Sequence, residues 1–474
     1  MNSYYTDLMT NSPLMTLIIT GLLLILVEST KSVRTRITFG VGIVGLVIAG
    51  TMACFHLVPE QATFNGMLNA GGFGSYFTII FVVAALLTFL LSRSYLGRMG
   101  SDKGEYYILI VFATIGMTLM ASANDLIIVF LGIELMSLCL YILVGFFRVR
   151  DRSNESSIKY FLLGAFATGF LLYGIALVYG ASGSTNLGVI ARSFPELSGN
   201  TMFVIGVALI IVAFSFKVAA VPFHMWAPDV YEGAPTTVTG FMSTGAKAAA
   251  FAVFVVVFDR TLGFSGGKVN DLIAMIAAAS MILGNVLAIA QTNVKRMLAY
   301  SSIAHAGYML SGVAAANAEG QSGVLFYLVA YLFMNLGAFG VVGIMEAENE
   351  KNLNLDDYAG LSTQRPILAM LMAVFMFSLA GVPPFAGFFG KYYVFLAAVK
   401  AHMTWLAVVG VLTSLVSAYY YLRLVVLMYF RDGKADVPLK PSLAAMVAVC
   451  VSALLIIQLG LYPSAIVQLV QSFH

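Results

Sequence analysis

Long apolar runs separated by short polar breaks fill the chain. Most runs reach the roughly 20 residues that an α-helix needs to cross a bilayer. They predict fourteen spans, at 13–29, 37–58, 73–92, 105–122, 125–147, 158–181, 200–224, 235–258, 271–291, 297–316, 322–346, 366–400, 402–430 and 442–467. The runs lack the period-two alternation of membrane strands, and helices satisfy their own backbone hydrogen bonds in lipid. The pattern therefore predicts an all-α polytopic membrane protein with about 14 transmembrane helices.

Composition agrees with this architecture. Of 474 residues, 60% are hydrophobic and only 10% are charged, against roughly 25% charged in soluble domains. A soluble enzyme and a disordered chain are both excluded. The net charge of +3 does not indicate nucleic acid as a partner.

Met1–Pro13 lacks Lys and Arg, so the first apolar run is predicted to be a retained helix rather than a signal peptide.

Basic residues concentrate in alternate connections between the predicted spans. With the N-terminus outside, the inner connections hold 17 of the 25 Lys and Arg residues and the outer connections hold 4. Basic residues favour the cytoplasmic side of a membrane. We therefore expect a multi-pass protein of the bacterial cytoplasmic (inner) membrane with both termini on the periplasmic side.

The other four basic residues lie inside predicted spans, and one carboxylate, Glu134, lies in the middle of a span. Arg423 lies near the inner end of its span, where its side chain can snorkel to the interface. Lys217, Lys247, Lys391 and Glu134 lie deeper, where a charge costs at least ~2.5–3.5 kcal/mol. Pairing alone does not explain them, because three lysines exceed one carboxylate. Burial favours the neutral amine and a nearby carboxylate favours the ammonium, so these residues predict a proton relay.

Hydroxyl groups follow the charged positions at helical spacing. The sets are Glu134, Ser137 and Tyr141; Ser243 and Lys247; and Ser301, His305 and Tyr308. A single histidine in an apolar helix is commonly a packing residue, so His305 is left open between a relay member and a core residue.

Prolines interrupt two of the spans. Pro222 follows Lys217, and Pro383 and Pro384 precede Lys391. Proline has no N–H group and breaks or kinks a helix, and paired interrupted spans are typical of inverted repeats in transporters. Ordinary proline kinks are the alternative.

The interrupted spans are five apart, which predicts two inverted five-helix repeats (spans 4–8 and 9–13), each with a broken helix. The predicted divisions are N-terminal helices over 1–104, a first repeat over 105–258, a second repeat over 271–430 and a C-terminal helix over 442–474.

Residues after Pro222 are candidates for the inner end of the broken helix. His224 could exchange protons with water or cap a helix, and Asp229 and Glu232 are predicted to be solvated in a Pro-rich loop. No cofactor motif is recognisable: the G-x-G-x-x-G at Gly40–Gly45 lies inside an apolar run without a preceding strand. We expect no cofactor or metal in this chain.

Four stretches carry a family resemblance. They are FLGIELMSLCLYILVGF at 130–146, FKVAAVPFHMWAPDVYEGAPTTVTGFMSTGAKAA at 216–249, NVKRMLAYSSIAHAGYML at 293–310 and SLAGVPPFAGFFGKYYVF at 378–395. They resemble the antiporter-like membrane subunits of respiratory complex I, and most closely the subunit N branch. The resemblance implies a non-redox, proton-translocating subunit of an NADH:quinone oxidoreductase. It places NAD, FMN, iron–sulfur clusters and quinone in partner subunits.

The resemblance also implies a role for individual residues. Glu134 matches the glutamate that pairs with the Lys217 position, and Lys217 matches the central protonatable lysine of the first half-channel. Lys247 matches the connector between half-channels, and Lys391 the lysine facing the exit side. His305, His224 and Lys159 are auxiliary candidates for the polar axis.

Partners follow from the same resemblance. They are the antiporter-like subunits L and M, the small subunits A, J and K, the H-type subunit of the quinone site, the peripheral redox arm and the lipid bilayer. Branch L carries a long C-terminal arm, for which no room is expected here, and branch M usually has glutamate at the Lys391 position. A cation/proton antiporter subunit of the Mrp type and a non-transporting scaffold are the alternatives.

Overall fold

The computed structural model describes residues 2–30, 35–57, 60–261, 267–347, 351–433 and 441–473, and the chain is mostly helical (82%). The α-helices are α1 Asn2–Thr10, α2 Ser12–Ser29, α3 Thr35–Phe55, α4 Gly72–Arg98, α5 Glu105–Ser122, α6 Leu126–Val144, α7 Asp151–Ser182, α8 Leu187–Leu197, α9 Thr201–Lys217, α10 Trp226–Gly233, α11 Thr236–Phe241, α12 Lys247–Phe254, α13 Lys268–Ile289, α14 Val294–Ala314, α15 Ala318–Met345, α16 Leu361–Gln364, α17 Pro366–Ala380, α18 Ala386–Lys400, α19 Thr404–Phe430, α20 Leu443–Leu461 and α21 Ser464–Gln471. Two π-helical segments, Met242–Ala246 and Val255–Thr261, flank α12, and Leu355–Tyr358 forms a 3₁₀ turn. Strands β1 (Gln61–Thr63) and β2 (Leu68–Ala70) form an antiparallel hairpin with Thr63 opposite Leu68.

The predicted all-α membrane architecture is confirmed. Within the described residues, 11 helical segments are long and apolar enough to cross a membrane, and two shorter apolar helices are Thr201–Lys217 and Pro366–Ala380. Helix α14 is less apolar than these segments and occupies the remaining predicted span, 297–316. Each of the fourteen predicted spans therefore contains a helix.

Helix packing follows the same order in the two predicted repeats. In the first, α5 packs on α6 and α7 packs on α9; in the second, α13 packs on α14 and α15 packs on both α17 and α18. The divisions at 105–258 and 271–430 stay a prediction.

The two spans interrupted at Pro222 and at Pro383 are broken, as predicted. Helix α9 ends at Lys217, where Ala219 adopts a left-handed φ of 58°, and α17 ends at Ala380, where Gly381 has a φ of 87°. Backbone groups released inside a membrane need partners from elsewhere. The backbone N–H of Val221 accordingly donates to Ser280 Oγ on α13 at 2.9 Å.

Some elements differ from the sequence-based expectation. The predicted span 442–467 is two helices, because Pro463 begins a new turn and α21 starts at Ser464. The Pro-rich segment after Pro222 contains the short helix α10, where a solvated loop was expected.

Among the described residues, the ion pairs between connections join segments that the charge pattern places on the same side. Arg150 pairs with Glu346 and Arg296 with Asp229 among the inner connections. Lys400 pairs with Glu319 among the outer ones. The alternation of sides is thus consistent with the packing, and the cytoplasmic assignment stays a prediction. Four counted basic residues lie outside the described residues: Lys31, Arg34, Lys434 and Lys440.

Candidate functional site

Lys217 and Glu134 lie on neighbouring helices but have separate partners. Lys217 is the last residue of α9, and its Nζ donates to Ser137 Oγ on α6 at 2.7 Å. Glu134, one turn earlier on α6, accepts a 2.7 Å hydrogen bond from Thr168 on α7. Among the described residues no ion pair within 4.0 Å joins Lys217 to Glu134. The pairing that the resemblance implies is therefore not a direct contact in this structure.

Lys247 is buried without a carboxylate partner in the described part of the chain. It follows the π-helical segment Met242–Ala246 and is only 2% exposed. Its Nζ donates to the backbone carbonyl of Ser302 at 2.6 Å and to Ser302 Oγ at 2.5 Å. The ring of Tyr331 lies 5.8 Å from this amine. Lys247 is thus held by neutral oxygens and an aromatic face.

The second helix break forms the binding site of the Lys391 amine. Lys391 Nζ donates to the carbonyls of Leu379 at 3.0 Å and Ala380 at 2.9 Å, at the C-terminal end of α17. It also donates to Ser414 Oγ at 2.8 Å. The last carbonyls of a helix lack helical donors and carry its negative dipole end. The break therefore supplies electrostatic stabilisation for an ammonium without any carboxylate.

His305 lies in a network of buried hydroxyl groups. Its Nδ1 lies 2.8 Å from the hydroxyl of Tyr327, and its Nε2 lies 3.1 Å from that of Tyr421, which also bonds Ser301. The ring is 1% exposed. A histidine with hydrogen bonds at both nitrogens can exchange its N–H between them, so this geometry suits a relay as well as packing.

Aromatic rings place His305 between the two buried lysines. Its ring packs at 5.2 Å from Tyr331, which faces Lys247, and at 5.5 Å from Tyr308, which faces Lys391. A polar axis of hydroxyls and amines therefore runs from α12 through α14 to α18.

Two auxiliary candidates lie away from this axis. Lys159 Nζ pairs with Glu155 at 2.6 Å and with Asp229 at 3.1 Å, and the side chain is 43% exposed. It belongs to a surface ion-pair group. His224 is half-buried in the broken segment, and its Nδ1 has no hydrogen-bond partner among the described residues. Arg423 is half-buried and reaches the carbonyl of Ile289 at 3.5 Å.

Asp229 and Glu232 keep exposed fractions of 37% and 22%, as expected for partly solvated carboxylates, but both are also ion-paired. Arg296 Nη1 lies 2.7 Å from Asp229 and 2.9 Å from Glu232. Partial burial by itself raises the pKa of Asp229, but the hydrogen bonds from Arg296 and Lys159 outweigh it and hold that pKa below its usual value. This group connects α7, α10 and α14.

Comparisons with known proteins agree with the geometry. Residues 123–417, which include the polar axis, match the family described as NADH:quinone oxidoreductase/Mrp antiporter, TM. The chain belongs to this family. It is 46% identical over 472 residues to the NADH-quinone oxidoreductase subunit N 1 of Chloroherpeton thalassium, covering 98% of each chain. The predicted family and fold class are therefore confirmed.

Two solved structures superpose over nearly the whole chain. A chain of respiratory complex I from Thermus thermophilus with bound aureothin has a TM-score of 0.84 and 34% identity, over 96% of this chain and 98% of that one. A chain of the Mrp complex from Dietzia sp. has a TM-score of 0.85 over 98% and 96% of the two chains. Its identity of 21% shows a shared fold alone.

Two further buried charges, which the sequence pattern does not reveal, lie at helix ends beside the predicted inner connections. Glu346, 1% exposed, accepts hydrogen bonds from Thr236 at 2.5 Å, Tyr95 at 2.9 Å and Arg150 at 3.2 Å. Lys295, 2% exposed, donates to the carbonyl of Ala234 at 2.6 Å. Both residues lie at the ends of apolar runs, where the position in the sequence alone predicts a solvent-exposed side chain. Among the described residues, no three His, Cys, Asp or Glu side chains group in a way that could hold a metal ion.

Proposed function

We propose that the chain is the antiporter-like, proton-translocating subunit N of a redox-driven NADH:quinone oxidoreductase. The likeness to the named subunit of Chloroherpeton thalassium supports this assignment. The observation that carries the mechanism is that Lys217, Lys247 and Lys391 all bind hydroxyl or carbonyl oxygens instead of carboxylates. We propose Glu134 and these three lysines as the proton-translocating groups.

Neutral partners allow each amine to change protonation state. A lysine fixed to a carboxylate stays charged, because losing its proton would leave a buried anion unpaired. A neutral amine beside Ser137 or Ser414 still has a hydrogen-bonding hydroxyl group. Each lysine can therefore release a proton without isolating a charge, which is what a relay requires.

Glu134 would control the first lysine. When its carboxylate leaves Thr168 and approaches Lys217, the attraction favours the ammonium. When it returns to Thr168, Lys217 loses that stabilisation and passes its proton toward Lys247. His305 and its tyrosines would carry the proton on to Lys391, beside the second helix break.

Redox chemistry belongs to partner subunits in this proposal. NAD, FMN, iron–sulfur clusters and quinone would bind in the peripheral arm and near the H-type subunit of the quinone site. The neighbouring membrane subunits would be L, M, A, J and K. The chain would lie in the bacterial cytoplasmic membrane with both termini on the periplasmic side.

The test is proton pumping by the assembled complex in proteoliposomes. Lys217→Ala should abolish or sharply reduce the protons moved per quinone reduced. Lys400→Ala is the matched control, because Lys400 forms an exposed pair with Glu319 at the outer surface. Unchanged pumping in Lys217→Ala would refute the role. Purification without a flavin-containing peripheral arm, but with other membrane subunits, would instead support an Mrp-type antiporter.

A further inference from the structure

A cavity of about 410 Å³ lies apart from the polar axis, between α4, α11, α15 and α20. Pockets that hold small molecules typically measure roughly 300–1,000 Å³. Ser94, Arg98 and Ser442 line its polar part, and Leu91 and Gly340 line its apolar part. The proton relay uses none of these residues.

The cavity is amphipathic along the membrane normal. Leu91 and Arg98 lie on one face of α4, seven residues apart, which corresponds to about 10 Å along a helix. Arg98 is the last residue of α4, and Ser442 caps the start of α20. Polar groups therefore occupy the interfacial end, and the apolar wall extends toward the bilayer centre.

Arg98 is half-buried at the polar end and only part of its guanidinium is hydrogen-bonded. Its Nη2 donates to the carbonyl of Gly343 at 2.5 Å, while its buried Nε has no hydrogen-bond partner in the described part of the chain. A buried guanidinium N–H without an acceptor is costly. No described carboxylate lies within 4.0 Å of Arg98; the nearby Glu346 pairs with Arg150 and attracts the Arg98 guanidinium from a longer distance. The polar end of the cavity thus carries a guanidinium that no carboxylate contacts directly in the described part of the chain.

We propose that this cavity binds an anionic phosphate group, supplied by a phospholipid headgroup, with an acyl chain along the apolar wall beside Leu91 and Gly340. Arginine matches phosphate geometry through its planar set of donors. Basic pockets between membrane helices are suited to anionic lipid headgroups. Ser442 donates to Ser94 Oγ at 2.9 Å, which leaves the hydroxyl proton of Ser94 as a further donor at the same end.

The test uses the purified, assembled complex in nanodiscs and a phosphatidylglycerol with a photoactivatable acyl chain. We expect cross-links on α4 and α15 in the wild type, reduced roughly fivefold or more in Arg98→Gln. Arg93→Gln is the matched control, since Arg93 is exposed on the same helix and faces the ring of Phe39 at 4.8 Å. Equal labelling in the wild type and both variants would overturn the proposal.

If Arg98→Gln fails to assemble, competition between labelled and unlabelled lipids on the wild-type complex still tests the proposal. Unlabelled phosphatidylglycerol should remove the cross-links, and phosphatidylcholine should not. Competition by phosphatidylcholine at the same concentration would overturn the anionic preference. Displacement of the label by inorganic phosphate would overturn the lipid headgroup as the source of the anion.

Discussion

Thr168 Oγ1 donates a 2.7 Å hydrogen bond to Glu134 Oε1, which holds the carboxylate away from Lys217. The Lys217 amine donates its own hydrogen bond to Ser137 Oγ instead. A hydrogen bond to a charged group contributes about 1.5–3 kcal/mol. Thr168 therefore biases Glu134 toward the state in which Lys217 is free to release a proton.

Removing this hydroxyl should slow proton release. In Thr168→Val, Glu134 loses its partner and should associate with Lys217, so pumping should fall by roughly tenfold on that energy scale. Thr51→Val is a matched control, because the Thr51 hydroxyl bonds only the carbonyl of Val47 in its own helix. Proteoliposome pumping rates provide the measurement. Equal rates in Thr168→Val and the control would show that Thr168 does not position Glu134.

A substitution of His305 can distinguish a role in the proton relay from a role in packing alone. His305→Phe preserves aromatic volume but removes both ring nitrogens, which contact Tyr327 and Tyr421. A relay role predicts a loss of pumping of about 10²-fold or more in a correctly assembled complex. If pumping survives in His305→Phe, the histidine is a packing residue.

The Glu346 group should matter for stability rather than for pumping. Glu346→Ala leaves Arg150, Tyr95 and Thr236 without their common acceptor, and breaking a buried pair costs about 3–5 kcal/mol. Thermal unfolding of the purified complex should therefore begin at lower temperature. Glu319→Ala is the control, since its pair with Lys400 is exposed and worth at most ~1 kcal/mol. Similar unfolding of the two variants would contradict the account.

Asp229 should make stability depend on acid pH. Its folded pKa is depressed by Arg296 and Lys159 against the effect of burial. Its stabilisation is therefore fully present above the unfolded value of about 3.9 and is lost as the pH falls through the lower folded value. Asp229→Asn should be less stable than the wild type at pH 7, with a difference that shrinks as the pH falls below about 4. A difference that is constant with pH would exclude the ion pairs as its cause.

Local patterns determined what could be predicted from the sequence. Apolar runs located the helices, and Pro222 and Pro383 located the breaks, because a missing N–H acts on its own helix. Lys217, Lys247 and Lys391 stood out because charges are rare in apolar runs.

Contacts between distant segments were not predictable in this way. Lys295 was missed because counting basic residues by connection assigns it to solvent, and Glu346 because it is the last residue of its predicted span; tertiary packing buries both. Thr168 is uncharged and half-buried on α7, so no charge or spacing signal connects it with Glu134. The pairing of Asp229 with Arg296 depends on α10 lying beside α14, and local helix propensity does not predict which helices are neighbours.

The central claim is that the buried lysines change protonation during turnover. Infrared difference spectroscopy of the assembled complex with ¹⁵N-labelled lysine, recorded on quinone reduction, tests it most directly. The account predicts isotope-sensitive ammonium bands that change with reduction and diminish in Lys217→Arg, since an arginine stays charged. Lysine bands that remain unchanged between the oxidised and reduced complex would contradict it.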